Sequence, residues 1–436
     1  MSERMPRAIR PFVFAQYRIL ATALTLSLFG SGVWLVAFVW QVIGLGGSPI
    51  DLSVVATGNA IGLLAAVLFG GVAADRIPQK YILLAVEVTK VIVASAVAFL
   101  AFSGVLAIWQ LVIAAVILGL AEGFFFPAYT ALLPGILPPD QLLAANGLEG
   151  ILRPATMQAL GPLVASIAIA AWSPAAAFVI MAIAQGLAAV SLLSLRTTPT
   201  HRALEGEVGA GVASLLRDVG EGFGYMFRTP WLLGTLLFAC VFVLVVVGPI
   251  EVLLPFAVKD QVPDEVQALF GGGAGAFAIV LAAFGLGGAL GSFVTASVRL
   301  PRRYLTVMNV SWGLACIPLI VIGFTTQLWV MAVAVFITEF LFSVGSVIWG
   351  TLLQRRVPKS LLGRVSSLDF FVSLALMPVS MALAGPIGVA FGIPITFVIA
   401  GIFPVLLAVA VILIARMPQD EIANPLDHTD AVASTT

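Results

Sequence analysis

The sequence predicts an all-α membrane protein in which twelve transmembrane helices form two parallel-repeat six-helix bundles around a central cavity. Three observations carry that expectation. Of 436 residues, 61% are hydrophobic and only 10% are charged, against about 45–50% and about 25% in soluble domains. Such an excess exceeds what a water-exposed fold can bury. Apolar runs recur at about 20 residues, the length that crosses a hydrocarbon layer roughly 30 Å thick. Finally, an offset of 220 residues carries Gly71 to Gly291, Leu132 and Leu133 to Leu352 and Leu353, Pro138 to Pro358, and Glu149 to Asp369.

In chain order the spans cover about 18–43, 53–74, 80–102, 108–132, 143–171, 175–195, 231–257, 275–298, 304–323, 328–353, 367–388 and 392–415, each long enough to span. They are dense in Leu, Ala, Val and Phe without period-2 alternation, so they read as helices and not as barrel strands. The first span follows a basic N-terminus but exceeds a signal h-region and lacks a small-residue cleavage site, so it is expected to stay. Residues 1–195 form the N-terminal bundle and 231–416 the C-terminal bundle. Between them, 196–230 is a linker. Its Val212, Leu215, Leu216, Val219, Phe223 and Met226 fall on helical spacing around Arg217, Asp218 and Glu221, an amphipathic helix lying on the membrane face. Residues 417–436, with Asp420, Glu421, Asp427 and Asp430, read as a disordered tail.

Lysine and arginine mark the cytosolic loops. With both termini in the cytosol, 18 of the 21 basic residues face inward, leaving Lys259 outside and Lys90 and Arg153 within spans. The protein is therefore expected in the cell membrane, and its net charge of zero gives no reason to expect a nucleic-acid partner. Two bundles that point the same way can rock about a central cavity, which argues for a carrier over a channel or receptor. No Gly-Lys pair occurs, so the chain has no phosphate loop and its energy is expected from an ion gradient. His201 and His428 lie outside the spans, while Cys240 and Cys316 lie inside apolar segments. Neither pair offers a metal or disulfide spacing, so no cofactor is expected and an enzyme is disfavoured.

The stretch GGVAADRIPQK, from Gly70 to Lys80, interrupts the apolar run. It resembles the loop between helices two and three of the major facilitator superfamily, G-x-x-x-D-R-x-G-R-K. Gly71, Asp75, Arg76 and Lys80 match, while Pro78 and Gln79 replace a glycine and an arginine. FFFPAYTALLPGILPPDQLLAANGL and its repeat TLLQRRVPKSLLGRVSSL resemble the branch that holds the enterobactin exporter and the macrolide efflux proteins. The resemblance implies alternating-access export of a lipophilic or amphipathic small molecule (drug, macrolide or siderophore-like) in exchange for protons. The implied partners are a lipid bilayer, a small-molecule substrate and a proton, with a monomer sufficient. A lysophospholipid or metabolite carrier of the same superfamily is the nearest alternative, and a non-transporting receptor or enzyme the more distant one. The resemblance also implies a latch. Gly71 permits close approach, and Asp75 sits at the positive N-terminal end of the eleventh span near Arg364. Thr295 stands at the repeat position of Asp75, which makes the latch one-sided. The plainer reading of the same loop is a charged turn that orients two helices.

Charge inside a bilayer is expensive, so intramembrane acids are functional candidates. Glu122, Glu251 and Glu339, each deep in a span, are the candidates for proton coupling, with Glu122 first. Glu122 has a structural alternative as partner of Arg153. Glu149 and Arg153 are spaced i, i+4 as an ion pair, and Asp369 is the repeat-equivalent gate. Glu251 is the repeat mate of Ser31, where relatives often carry an acid. Glu87 and Lys90 read as a snorkelling pair near the inner surface. Gly161 and Pro162 resemble an antiporter signature whose final glycines are here Ala165 and Ser166, and they are expected to serve packing. Phe124, Phe125 and Phe126 are candidates to line the cavity.

Overall fold

Helix starts follow local chemistry. At Pro49–Arg76 the Ser48 hydroxyl accepts the Asp51 N–H while the Asp51 carboxylate accepts the Ser48 N–H at 2.8 Å, a reciprocal cap. Proline stands in the first turn at Pro174, Pro230 and Pro394, where its missing N–H is not needed. The computed structural model describes residues 7–196, 223–298, 300–358, 361, 365, 369 and 371–426.

Among the described residues, twelve helices are long and apolar enough to cross a membrane. In the first half these are α1 (Ala15–Gly44), α2 (Pro49–Arg76), α3 (Gln79–Phe102), α4 (Ile108–Ile136), α5 and α6 (Pro174–Leu193). α5 runs as Pro139–Arg153, widens into a π-helical stretch Pro154–Leu160, and resumes as Gly161–Ala171. The second half holds α7 (Pro230–Gln261), α8 (Gly273–Ser297), α9 (Tyr304–Ile322), α10 (Leu328–Arg356), α11 (Phe371–Phe391) and α12 (Ile393–Ile414).

The two halves use the same neighbours. α2 packs on α4 as α8 packs on α10, and α3 leans on α4 as α9 leans on α10. The α2–α4 and α8–α10 pairs approach closely at a glycine. A β-carbon at Gly119 would collide with Asn59 O of α2, and one at Gly291 with Phe340 O of α10. In lipid, such backbone proximity replaces the hydrophobic drive that water would supply. Phe69, Phe99, Trp109, Val190 and Leu413 point outward, where acyl chains meet them. The halves join along α2–α11 and α5–α8. At the end remote from the termini, Trp40 of α1 meets Phe277 of α8, ring centroids 5.4 Å apart.

Most of the interdomain linker, including Val212, Leu215, Leu216 and Val219, lies outside the described residues. Its last turns, 223–228, are helical, with Met226 buried and the Tyr225 hydroxyl donating to Arg356 O at 3.4 Å.

The tail departs from expectation. Met417–Ala423 is a helix docked on the second half, and only residues 427–436 fall outside the described residues. Arg416 turns the chain in a left-handed conformation at φ 49°. Met417 is 0% exposed, Glu421 accepts the Thr306 N–H and hydroxyl, and the Tyr304 hydroxyl donates to Asn424 O at 2.7 Å. Burial pushes the Glu421 carboxyl above its usual range, against the pull of the Thr306 donors. Arg356 anchors the helix from α10: it pairs with Asp420 and lies 4.8 Å from the Trp231 ring and 5.9 Å from that of Tyr304. Composition alone marked this segment as disordered because its partners are supplied by other elements. Arg356→Ala is expected to release it, speeding amide exchange over 417–423 about tenfold, since a cation–π contact with a charged hydrogen bond contributes about 1–3 kcal/mol. Unchanged protection by hydrogen-exchange mass spectrometry would remove Arg356 as the anchor.

Candidate functional site

Two acids and one lysine meet inside the first half. On α3, Glu87 and Lys90 are one turn apart and face α1, whose Ser27 and Ser31 are also one turn apart. Lys90 Nζ donates to Ser27 Oγ and to Ser31 Oγ, each at 3.4 Å. Ser27 then donates to Glu87 Oε1 at 2.7 Å, and Ser31 to Glu122 Oε1 of α4 at 3.3 Å. One ammonium is thus joined to two carboxylates through one hydroxyl each. Lys90 also stands 5.3 Å from the Phe125 ring, and Gln185 of α6 donates to Ser27 O at 3.3 Å. Glu87 is 0% exposed and Lys90 3%, so the expected snorkelling pair is instead a core network. The reason is rotational: their face of α3 looks into the bundle. Glu87 Oε2 has no hydrogen-bond partner.

Glu122 opens onto a cavity of about 180 Å³ between the halves. Trp34, Phe38 and Asn59 line it from the first half, and Glu251, Met377 and Met381 from the second. A second cavity, of about 120 Å³, lies within the second half between Glu251 and Glu339, walled by Phe242, Phe284 and Phe342. Glu251 belongs to both, so it is accessible although it stands deep in α7. It sits in a π-helical stretch, Pro249–Leu253, that follows another at Val243–Val247. Such wide turns redirect side chains and recur at functional sites. The Glu339 carboxylate and Ser343 Oγ both lie beside Gly288 of α8, which leaves room for them.

The remaining candidates serve other contacts. Arg153 pairs with Glu149 at 2.9 Å and lies 5.9 Å from the Phe126 ring, so it is not the partner of Glu122. In the second copy Asp369 accepts from Trp349 Nε1 at 3.0 Å and from Ser373 Oγ at 3.3 Å. The offset that relates Glu149 to Asp369 also relates Arg153 to Ser373, so an ion pair in one half is a neutral contact in the other. Phe125 stacks on Tyr129, while Phe126 is exposed. Neither is among the cavity walls named above. Gly161 meets Gly32 of α1 at backbone distance, and Pro162 beside it is buried.

Of the expected latch, Gly71, Asp75 and Arg76 end α2, but their side chains, and Arg364 altogether, lie outside the described residues. Lys80 is described. It donates to Leu193 O at 2.8 Å and Leu195 O at 2.5 Å, a cation on the last carbonyls of α6 in its own half. Among the described residues no cluster of three or more His, Cys, Asp or Glu could hold a metal ion.

Sequence reasoning named the acids but missed Ser27, Ser31 and the central place of Lys90. The available signal was the matched spacing, two serines and an acid–lysine pair each one turn apart on apolar spans.

The profile of the family described as transmembrane secretion effector matches residues 7–433. The multidrug efflux pump Tap of Mycolicibacterium fortuitum is 28% identical over 424 residues, covering 93% of this chain and 97% of Tap. Macrolide efflux protein A of Streptococcus pyogenes is 23% identical over 394 residues, covering 88% and 92%. A variant of the nucleoside transporter NupG superposes with TM-score 0.70 at 11% identity, over 91% of this chain and 99% of that one, a likeness of fold.

Proposed function

The chain belongs to the transmembrane secretion effector family of major facilitator transporters, and on that premise we propose that it exports a lipophilic or amphipathic small molecule in exchange for protons. It is a multi-pass plasma membrane transporter. The observation that carries the finer reading is the shared cavity. Glu122 from one half and Glu251 from the other face a space whose walls are mostly apolar, Trp34, Phe38, Met377 and Met381 among them, with Ser31 and Asn59 as further polar groups. Aromatic and thioether walls suit an apolar ligand body, whereas a sugar needs several polar groups to replace its water. Relatives named for multidrug and macrolide efflux support the same substrate class and the outward direction. Both termini then lie in the cytosol, as the distribution of lysine and arginine favours.

A pH step of one unit together with 100 mV supplies roughly 3.7 kcal/mol per proton. One proton per cycle therefore sustains roughly a few-hundred-fold gradient of a neutral substrate. In inverted vesicles carrying the protein, an imposed pH gradient is expected to dissipate when a macrolide or lipophilic amine is added. No response across a panel of such compounds would count against drug–proton exchange.

A further inference from the structure

The halves touch along α2 and α11, and there a serine of one half enters the backbone of the other. Ser53 of α2 is 1% exposed; its hydroxyl donates to Met381 O of α11 and accepts the Gly385 N–H at 3.0 Å. Met381 and Gly385 are four residues apart, the carbonyl and amide that an α-helix pairs with each other. The Ser53 hydroxyl therefore sits on a rung of the helix it touches. Gly385 makes this possible, since a β-carbon there would lie 2.8 Å from Ile50 Cα.

One residue away the same device recurs inside the second half. Ser380 of α11, also 1% exposed, donates to Leu244 O of α7 at 2.8 Å and accepts the Gly248 N–H at 2.8 Å. Here too the pair is four residues apart and the amide belongs to a glycine. The next residue is Pro249, which brings no N–H of its own. Ser380 thus binds α11 to α7 within one body, whereas Ser53 binds α11 across the boundary between bodies.

We propose that Ser53 is the bolt of a gate: its hydroxyl, inserted at the Met381–Gly385 rung, holds the end of the carrier remote from the termini closed. This rests on the alternating-access reading above. Parting the halves withdraws the hydroxyl, and the freed amide and carbonyl then pair with each other. Ser53 can turn back to Pro49 O, the i−4 carbonyl that serine hydroxyls favour in membrane helices. No buried polar group is stranded in either state, so the contact can make and break in every cycle. A bond between two side chains would leave both ends unpaired when broken in an apolar interior.

The test reads distances between spin labels at Leu45 and Phe391, which belong to different halves at that end, with Cys240 and Cys316 replaced by alanine and the protein in nanodiscs. No substrate or gradient is needed, so a failure of proton exchange in vesicles leaves this measurement intact. Ser53→Ala is expected to raise the ratio of long to short distances about three- to tenfold, because the back-bond to Pro49 O that Ser53 makes when the halves part shares a carbonyl already used by its own helix and is weaker than the inter-helix bonds it replaces. Ser380→Ala, which loosens one half internally, is expected to lower thermal stability and leave the ratio unchanged. An unchanged ratio in folded Ser53→Ala overturns the bolt. So does an equal shift in Ser380→Ala, since that would trace the effect to a softened α11.

Discussion

Replacing Lys90 by methionine lowers the stability of the solubilised protein by about 3–5 kcal/mol, the range for removing one partner of a buried charged set. The size follows from burial. Lys90 is 3% exposed and Glu87 0%, so neither can recover hydration when its counterpart is lost. The two carboxylates reach the ammonium through Ser27 and Ser31, not directly. The serines relay the attraction but carry no charge, and they cannot replace the cation. Methionine matches lysine in length and should keep the packing against Phe125, so the loss reports charge more than volume. Adding Glu87→Gln to Lys90→Met should restore more than half of the loss, because the acid without direct access to the cavity is then neutral. Denaturation of the single and double variants in one detergent measures both effects. Equal stability of wild type and Lys90→Met would mean that the network is held neutral without its lysine.

The architecture was legible because span length and apolarity are set by the bilayer, and because the 220-residue offset survives in Gly71 and Gly291 or Glu149 and Asp369. Helices α1 to α12 lie within several residues of the expected spans. What stayed hidden depends on rotation about a helix axis and on tertiary partners. Glu87 and Lys90 lie early in α3, where depth suggests snorkelling, but depth does not reveal that their face meets α1 and α4. Hydroxyls are harder still to read. Thr25 and Thr57 bond their own i−4 carbonyls, Ala21 O and Ser53 O, and do nothing between helices. Ser27, Ser31, Ser53 and Ser380 bond across helices, yet nothing in their local sequence distinguishes them. The docked helix Met417–Ala423 was illegible for a related reason: its stabilising groups, Arg356, Tyr304 and Thr306, are more than 60 residues away in the chain.

Glu122→Gln abolishes the pH dependence of export if the proposed exchange runs through the first half. Glu122 is the acid best placed for this task because it has two environments at once. Its carboxylate accepts from Ser31, which is held by Lys90, and the same side chain borders the cavity between the halves. A proton arriving from the cavity at Glu122 weakens its attraction through Ser31 and leaves Lys90 to Glu87 alone. The network, two carboxylates against one ammonium before, is then matched one to one, so the variant should fold. The energetic consequence is large: uncoupling removes the roughly 3.7 kcal/mol that each proton supplies, and with it roughly a few-hundred-fold gradient. Facilitated movement down a substrate gradient should persist, which separates loss of coupling from loss of protein. Glu251→Gln provides the contrast, since Glu251 opens onto both cavities and shares the smaller one with Glu339. If export by Glu122→Gln keeps its pH dependence while Glu251→Gln loses it, the exchanging proton belongs to the Glu251–Glu339 side. The Lys90 network would then be the structural core of the first half.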